Sequence, residues 1–150
     1  LQLEWTYEKL TEFNPKYSEY FGTLALMYKQ NKKEDKAKEA LKEMLLIQSC
    51  VEKKLQSKLA NADSTASFIE NILGLKKENP RYHYILYHLY VEMGDFEKAR
   101  EEAQKYYDTY TVITEVKNNP TLLAKAKTDL DALLAKASAK SNEALCDKYK

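Results

Sequence analysis

An all-α fold is predicted for this chain on three observations. Only three glycines and three prolines occur in 150 residues, so chain reversals are few and elements long. Apolar residues recur at three- and four-residue spacing in most segments between those breakers. Two helix-turn-helix segments also answer each other, one from Tyr28 to Leu41 and one from Tyr90 to Ala103. Each places a tyrosine at the end of one helix, then a short polar turn. Each then opens a helix on a small alanine, Ala37 in the first and Ala99 in the second.

Leu3, Tyr7 and Leu10 fall at helical spacing, and Asn14-Pro15 ends that helix. A second helix is expected over about 16–30, with Tyr17, Phe21, Leu24, Ala25 and Tyr28 on one face. Asn31-Lys32-Lys33 makes the turn. A third helix starts near Glu34 and carries Ala37, Leu41, Met44 and Leu45. Residues 34–61 contain no breaker, so they form one helix, or two with a break near Ser49-Cys50. In the second case Val51, Leu55 and Leu59 begin a degenerate repeat. Asn61 to Thr65 reads as a loop and N-cap. The helix after it carries Phe68, Ile69, Ile72 and Leu73 and ends between Gly74 and Asn79, before Pro80.

Asn79-Pro80-Arg81-Tyr82 echoes Asn14-Pro15-Lys16-Tyr17, a sign of internal duplication. The helix expected over 80–93 is the most aromatic in the chain. Gly94-Asp95 turns it, glycine supplying the positive φ that leaves a helix. The helix from about 96 carries Ala99, Ala103, Tyr106, Tyr107 and Tyr110. Thr109 to Thr114 is β-branched, which predicts a frayed or short extended stretch. Asn118-Asn119-Pro120 is a stop. The last helix, 121–147, has Leu122, Leu123, Leu130, Leu133 and Leu134 on one side and lysines opposite.

The net charge of +1 offers no field for nucleic acid or an anionic membrane. Arg81 and Arg100 are the only arginines, and the lysines alternate with glutamates along helix faces as solvated surface. No apolar run approaches the roughly 18 residues that cross a bilayer. No signal-peptide pattern is present either. Cytoplasmic residence is the expectation, with an exported mature chain the alternative because the chain starts at Leu1 rather than a methionine. Cys50 and Cys146 have neither close spacing nor paired histidines, so a zinc site is not expected. They pair only if the last helix folds back over the middle of the chain. Two free, partly buried thiols are the expectation, with a melting temperature indifferent to reductant and chelator.

The paired segments resemble the tetratricopeptide repeat, a two-helix unit that stacks into a superhelix and usually binds peptides or proteins. Phe21, Leu24, Ala25 and Tyr28 match its first helix, and Ala37, Leu41 and Met44 its second. In the other unit His83, Leu86, Tyr87 and Tyr90 match the first helix, Gly94 and Phe96 the turn, and Ala99, Ala103 and Tyr106 the second helix. The match covers 18–45 and 80–107 well, 1–15 in part, and the rest weakly. Lys32 replaces the turn glycine, Glu34 an aromatic, His83 a tryptophan, and Tyr87 a glycine or alanine. The last departure implies a looser helix crossing. Two full repeats need about 68 residues, and the matched segments stand a little closer than that.

The resemblance implies a single domain, 1–150, of stacked antiparallel helix pairs forming a tetratricopeptide-like superhelix, with 121–147 as a long C-terminal capping helix. A generic antiparallel bundle is the alternative. The resemblance further implies that a partner lies on the concave wall built by the first helix of each unit. That wall would hold Glu19, Gly22, Leu26, Lys29 and Gln30 in one unit and Arg81, Tyr84, His88, Val91 and Glu92 in the other. The lysine and asparagine set with which some family members grip a terminal carboxylate is missing. Glu19, Leu26, Lys29, Arg81, Tyr84, His88 and Glu92 are therefore the candidate partner-binding residues.

Helical phase separates Tyr84 and His88 from Leu86 and Tyr90, so the first pair is expected exposed and the second buried. His88 and Glu92, four apart, supply too few ligands for a metal site. No nucleophile with a base partner and no glycine-rich phosphate loop is present. The function implied is a non-catalytic scaffold that binds a protein or peptide and uses no cofactor. The alternative is a structural segment of a larger or homo-oligomeric assembly, packing through its tyrosine-rich face. A helical enzyme or small-ligand carrier would require a deep pocket.

Overall fold

The structure, a computed structural model, describes residues 2–52, 62–137 and 143–150. Among these residues all regular structure is helical. The α-helices are α1 (Gln2–Phe13), α2 (Ser18–Gln30), α3 (Glu34–Cys50), α4 (Ala62–Leu73), α5 (Pro80–Met93), α6 (Phe96–Thr111), α7 (Thr114–Lys117) and α8 (Pro120–Lys136). A 3-10 helix, Glu143–Tyr149, follows. The chain divides into two compact units. One is Leu1–Gly74 together with Cys146–Lys150, and the other is Leu75–Leu145.

The closest helix pairs are α2 with α3 in the first unit and α5 with α6 in the second. Their turns close in the same way. Lys32 and Gly94 both take left-handed backbone, with φ of 61° and 79°. The next amide then reaches back five residues, Lys33 N–H to the Tyr28 carbonyl at 2.7 Å and Asp95 N–H to the Tyr90 carbonyl at 2.9 Å. This is the Schellman pattern, which satisfies a carbonyl left over at the helix end. Lysine fills the glycine position of the first turn at the steric cost of that conformation.

Local caps set the helix starts. Asn79 Oδ1 accepts from the Arg81 amide at 3.0 Å, and Asn119 Oδ1 from the Thr121 and Leu122 amides at 3.0 and 3.2 Å. In both places a proline occupies the first helical turn, where its missing N–H costs nothing. The sequence echo at Asn14-Pro15 is only partial, because α2 starts at Ser18, beyond its proline.

In the first unit α1 packs on α2, and α4 packs on both α2 and α3. Buried carboxylate chemistry holds α1 in place. Glu4 accepts from Lys33 Nζ at 2.6 Å and from Asn31 Nδ2 at 2.8 Å, and Glu8 accepts from the Tyr28 hydroxyl at 3.1 Å. The core of this unit includes Leu24, Ala25, Leu41, Met44, Ile47, Ile69 and Ile72. In the second unit α8 packs on α6, and α7 packs on both α6 and α8. Ala99 and Ala103 are fully buried along α6. Ala99→Leu is therefore expected to destabilise by about 1–3 kcal/mol, since extra volume at a close crossing forces the helices apart. Thermal melts against the parent chain check this, and an unchanged melt removes the close crossing.

Two expectations change, one is decided between its alternatives, and one holds in part. The helix from Glu34 stops at Cys50 and the chain turns at Val51, which selects the break over one long helix; Leu55 and Leu59 lie outside the described residues. The α4 helix begins at Ala62, within the segment read as a loop. At Thr109 to Thr111 the helix persists, with the Thr109 and Thr111 hydroxyls each donating to the carbonyl four residues back at 2.8 Å, and the expected extended backbone comes only at Ile113, before α7. That bond is the alternative threonine has inside a helix. Finally, the helix read as 121–147 ends at Lys136. Arg100 Nη1 donates to the carbonyl of the buried Ala137 there, so the last turn is held by α6.

The cysteine expectation is overturned. Cys50 and Cys146 form a disulfide with their Cα atoms 5.4 Å apart. The reason is tertiary: residues 146–150 return to α3, where Lys148 Nζ and the Tyr149 hydroxyl both bond to Glu43.

Candidate partner-binding site

The candidate residues fall in both units, Glu19, Leu26 and Lys29 in the first and Arg81, Tyr84, His88 and Glu92 in the second. On α2, Gly22 is buried. A Cβ there would stand 2.9 Å from the Met44 sulfur and 3.8 Å from the Phe68 ring, so the missing side chain lets α3 and α4 approach. Lys29 donates from Nζ to the Ile72 carbonyl at 3.1 Å, placing its charge at the C-terminal end of α4. Leu26 is half-buried and Gln30 exposed. Glu19 is exposed and accepts from the Tyr17 hydroxyl at 2.8 Å. The stripe Gly22–Lys29 therefore carries α4 as its own neighbour.

On α5 the phase separation is visible. Leu86 and Tyr90 are 2% and 8% exposed, whereas Tyr84 is 40% exposed. His88 is half-buried, less open than the wall reading expects. Burial, and secondarily the positive charge of Lys136, hold its imidazole below the usual histidine range. The C-terminal end of α8, which carries Lys136, lies near this part of α5. The Tyr87 hydroxyl donates to the Leu133 carbonyl at 2.8 Å, bringing that end against α5. Arg81 and Glu92 are exposed at the two ends of the face, with Val91 half-buried beside Glu92.

Tyr84 does not stand alone. Its ring lies 4.5 Å from the His88 ring, edge to face, and 5.3 Å from the Tyr106 ring. Tyr106 in turn stacks on Tyr110, with centroids 5.9 Å apart and planes 15° off parallel. The result is a continuous aromatic ladder, His88–Tyr84–Tyr106–Tyr110, shared by α5 and α6. Burial, with smaller contributions from Tyr110 and Asp129, raises the Tyr106 phenol above its usual range. The tyrosines of α6 were not among the candidates, although Tyr106 and Tyr110 are four apart and so share a helix face.

A second buried polar group was missed. His83 Nδ1 lies 2.6 Å from Glu102 Oε2, and His83 Nε2 lies 2.8 Å from the Lys77 carbonyl. A carbonyl only accepts, so Nε2 carries a proton. His83 is thus a buried tie between α5, α6 and the loop before α5, where the repeat resemblance puts a tryptophan. Nothing local in the sequence marks Glu102 as its partner.

Among the described residues no three histidine, cysteine or acidic groups gather as a metal site, and no helix is long and apolar enough to cross a membrane. No protein-family model matches the sequence, and no curated protein matches it.

The Glu4 cluster gives a pH dependence. The hydrogen bond from Lys33, then that from Asn31, holds the Glu4 carboxyl below its ordinary value of 4.5. A depressed carboxylate contributes stability that is present in full above the unfolded value and lost as pH falls through the lower folded value. The chain is therefore expected to lose stability below about pH 4.5, and Glu4→Gln should flatten that acid limb. Melts of both chains across acidic pH test this, and parallel acid limbs would refute it.

Proposed function

We propose that this chain is a non-catalytic, tetratricopeptide-like scaffold that binds a protein or peptide through the aromatic ladder of α5 and α6. The observation that carries the reading is the exposure of Tyr84 within the ladder His88–Tyr84–Tyr106–Tyr110. Tyrosine offers large apolar area and a hydroxyl at low conformational cost, which suits it to recognition surfaces. The ladder stands on two closely packed helices, so its rings are ordered before a partner arrives and little entropy remains to be lost. The matching Schellman turns at Lys32 and Gly94 support the repeat resemblance.

The test uses whatever protein co-purifies with the chain. Tyr84→Ala is expected to weaken that complex by about 1–2 kcal/mol, roughly five- to thirty-fold in Kd, with the melting temperature nearly unchanged. Unchanged affinity for both Tyr84→Ala and Tyr106→Ala would remove the ladder from the interface.

A second reading is favoured by α1. Leu3, Trp5 and Phe13 are 66%, 61% and 88% exposed, so this helix shows apolar side chains to solvent. That supports a segment of a larger or homo-oligomeric assembly, with contact made through α1 rather than through the tyrosines. Mass measurement in solution separates the readings: a stable oligomer broken by Phe13→Glu favours assembly.

A further inference from the structure

Residues Cys146–Lys150 belong to the first compact unit although the whole second unit precedes them in sequence. Three contacts hold them on α3. Cys146 is bonded to Cys50, the last residue of that helix. Lys148 Nζ donates to the two Glu43 carboxylate oxygens at 2.8 and 3.0 Å. The Tyr149 hydroxyl donates to Glu43 Oε2 at 2.8 Å, and the residue is buried. Glu43 and Cys50 stand two helical turns apart and so share one face of α3. The tail therefore runs antiparallel to α3 along that stripe.

Helical phase puts Leu46 on one side of the stripe and Ile47 on the other. Met44, Leu45, Leu46 and Ile47 are all buried. Four consecutive buried residues mean a helical turn enclosed all round. The α2 and α4 helices pack on α3, and the tail covers the Glu43–Cys50 stripe.

We propose that the Cys50–Cys146 bond is a redox latch. Oxidised, it holds the C-terminal tail on α3; reduced, it frees the tail and uncovers the Leu46–Ile47 flank. Without the bond the tail keeps the buried Tyr149 with its hydrogen bond to Glu43, and an ion pair whose lysine side chain is 51% exposed. Such a pair contributes little in water and less in salt. The covalent bond makes those weak contacts intramolecular at short range, which is why they persist while it is intact.

The chemistry is ordinary thiol–disulfide exchange. A thiolate of a dithiol such as dithiothreitol attacks one cysteine sulfur and releases the other as a thiolate. The reagent's second thiol then displaces the mixed disulfide. Two electrons and two protons pass to the protein, which ends with two thiols, and the reagent ends as a cyclic disulfide. Cys50 and Cys146 are both half-buried, so neither residue is sealed in the core. An oxidising compartment keeps the latch closed, and transfer to a thiol-rich one opens it.

Hydrogen exchange on the full chain, with and without dithiothreitol, tests the latch, and alkylation mass counts the thiols. Reduction should yield two alkylated cysteines. Amides of 146–150 and of the Glu43–Cys50 turn pair should then exchange roughly ten-fold faster or more, while those amides of α5 and α6 that exchange by local opening, not through the whole-chain unfolding that reduction also eases, hold their rates. Cys146→Ser without reductant should give the same pattern. Unchanged protection of the tail after both thiols are alkylated would overturn the proposal. So would two free thiols in protein kept under air. Equal acceleration of the locally opening amides of α5 and α6 would mean that reduction loosens the chain everywhere rather than at the tail, which also refutes it.

Discussion

Reduction of the Cys50–Cys146 bond is expected to lower the stability of the chain by about 2–5 kcal/mol. The bond joins residues 96 apart, and a cross-link stabilises chiefly by denying the unfolded chain its loop-closure entropy. For a loop of about 100 residues that entropy corresponds to about 4.7 kcal/mol, and measured bridges commonly fall short of it. The two cysteines read as free thiols would leave melting indifferent to reductant, so the experiment separates the two situations directly. Thermal or denaturant melts with and without dithiothreitol measure the effect. Coincident curves, with the thiols shown to be free, would remove the cross-link from the account of stability.

Tyr87→Ala is expected to cost about 3–5 kcal/mol, in the range of large aromatic truncations in protein cores. Tyr87 is fully buried, and its hydroxyl donates to the Leu133 carbonyl at 2.8 Å. The truncation therefore removes ring packing and the tie to α8 together. Tyr87→Phe separates the two. It keeps the ring and should cost only about 1 kcal/mol, the net value of one hydrogen bond. The Leu133 carbonyl still accepts from the Ala137 amide at 3.1 Å, so no acceptor is left bare. Denaturant melts of both variants measure the difference, and equal losses would mean that the hydroxyl dominates. The repeat resemblance puts a glycine or alanine at this position. The ring there is accommodated by reaching to α8.

The candidate wall was legible as a phase and not as a surface. Tyr84 lies opposite the buried Leu86 and Tyr90 because side chains on a helix repeat every 3.6 residues, and that follows from spacing alone. Which neighbours cover the remaining residues did not follow. Spacing puts Lys29 on the candidate wall, and the fold adds that its ammonium donates to the Ile72 carbonyl, 43 positions away in the chain. His88 is half-buried, and Tyr106 and Tyr110 extend the ladder from α6.

What the sequence by itself determined is what acts within one or two turns of chain. Asn79-Pro80 and Asn119-Pro120 start α5 and α8, because an asparagine side chain caps amides two or three residues on and proline fits the first turn. Gly94 ends α5, because it takes the left-handed backbone without a side-chain clash. Lys32 does the same work at the end of α2 from a residue type that gives no such signal. Only the tertiary structure decided the rest: the Cys50–Cys146 bond, the His83–Glu102 pair, and the end of α8 where Arg100 meets Ala137. Each depends on groups 19 to 96 positions apart meeting in space. Periodicity tells a helix which face to bury, but carries no information about which distant residue will be waiting there.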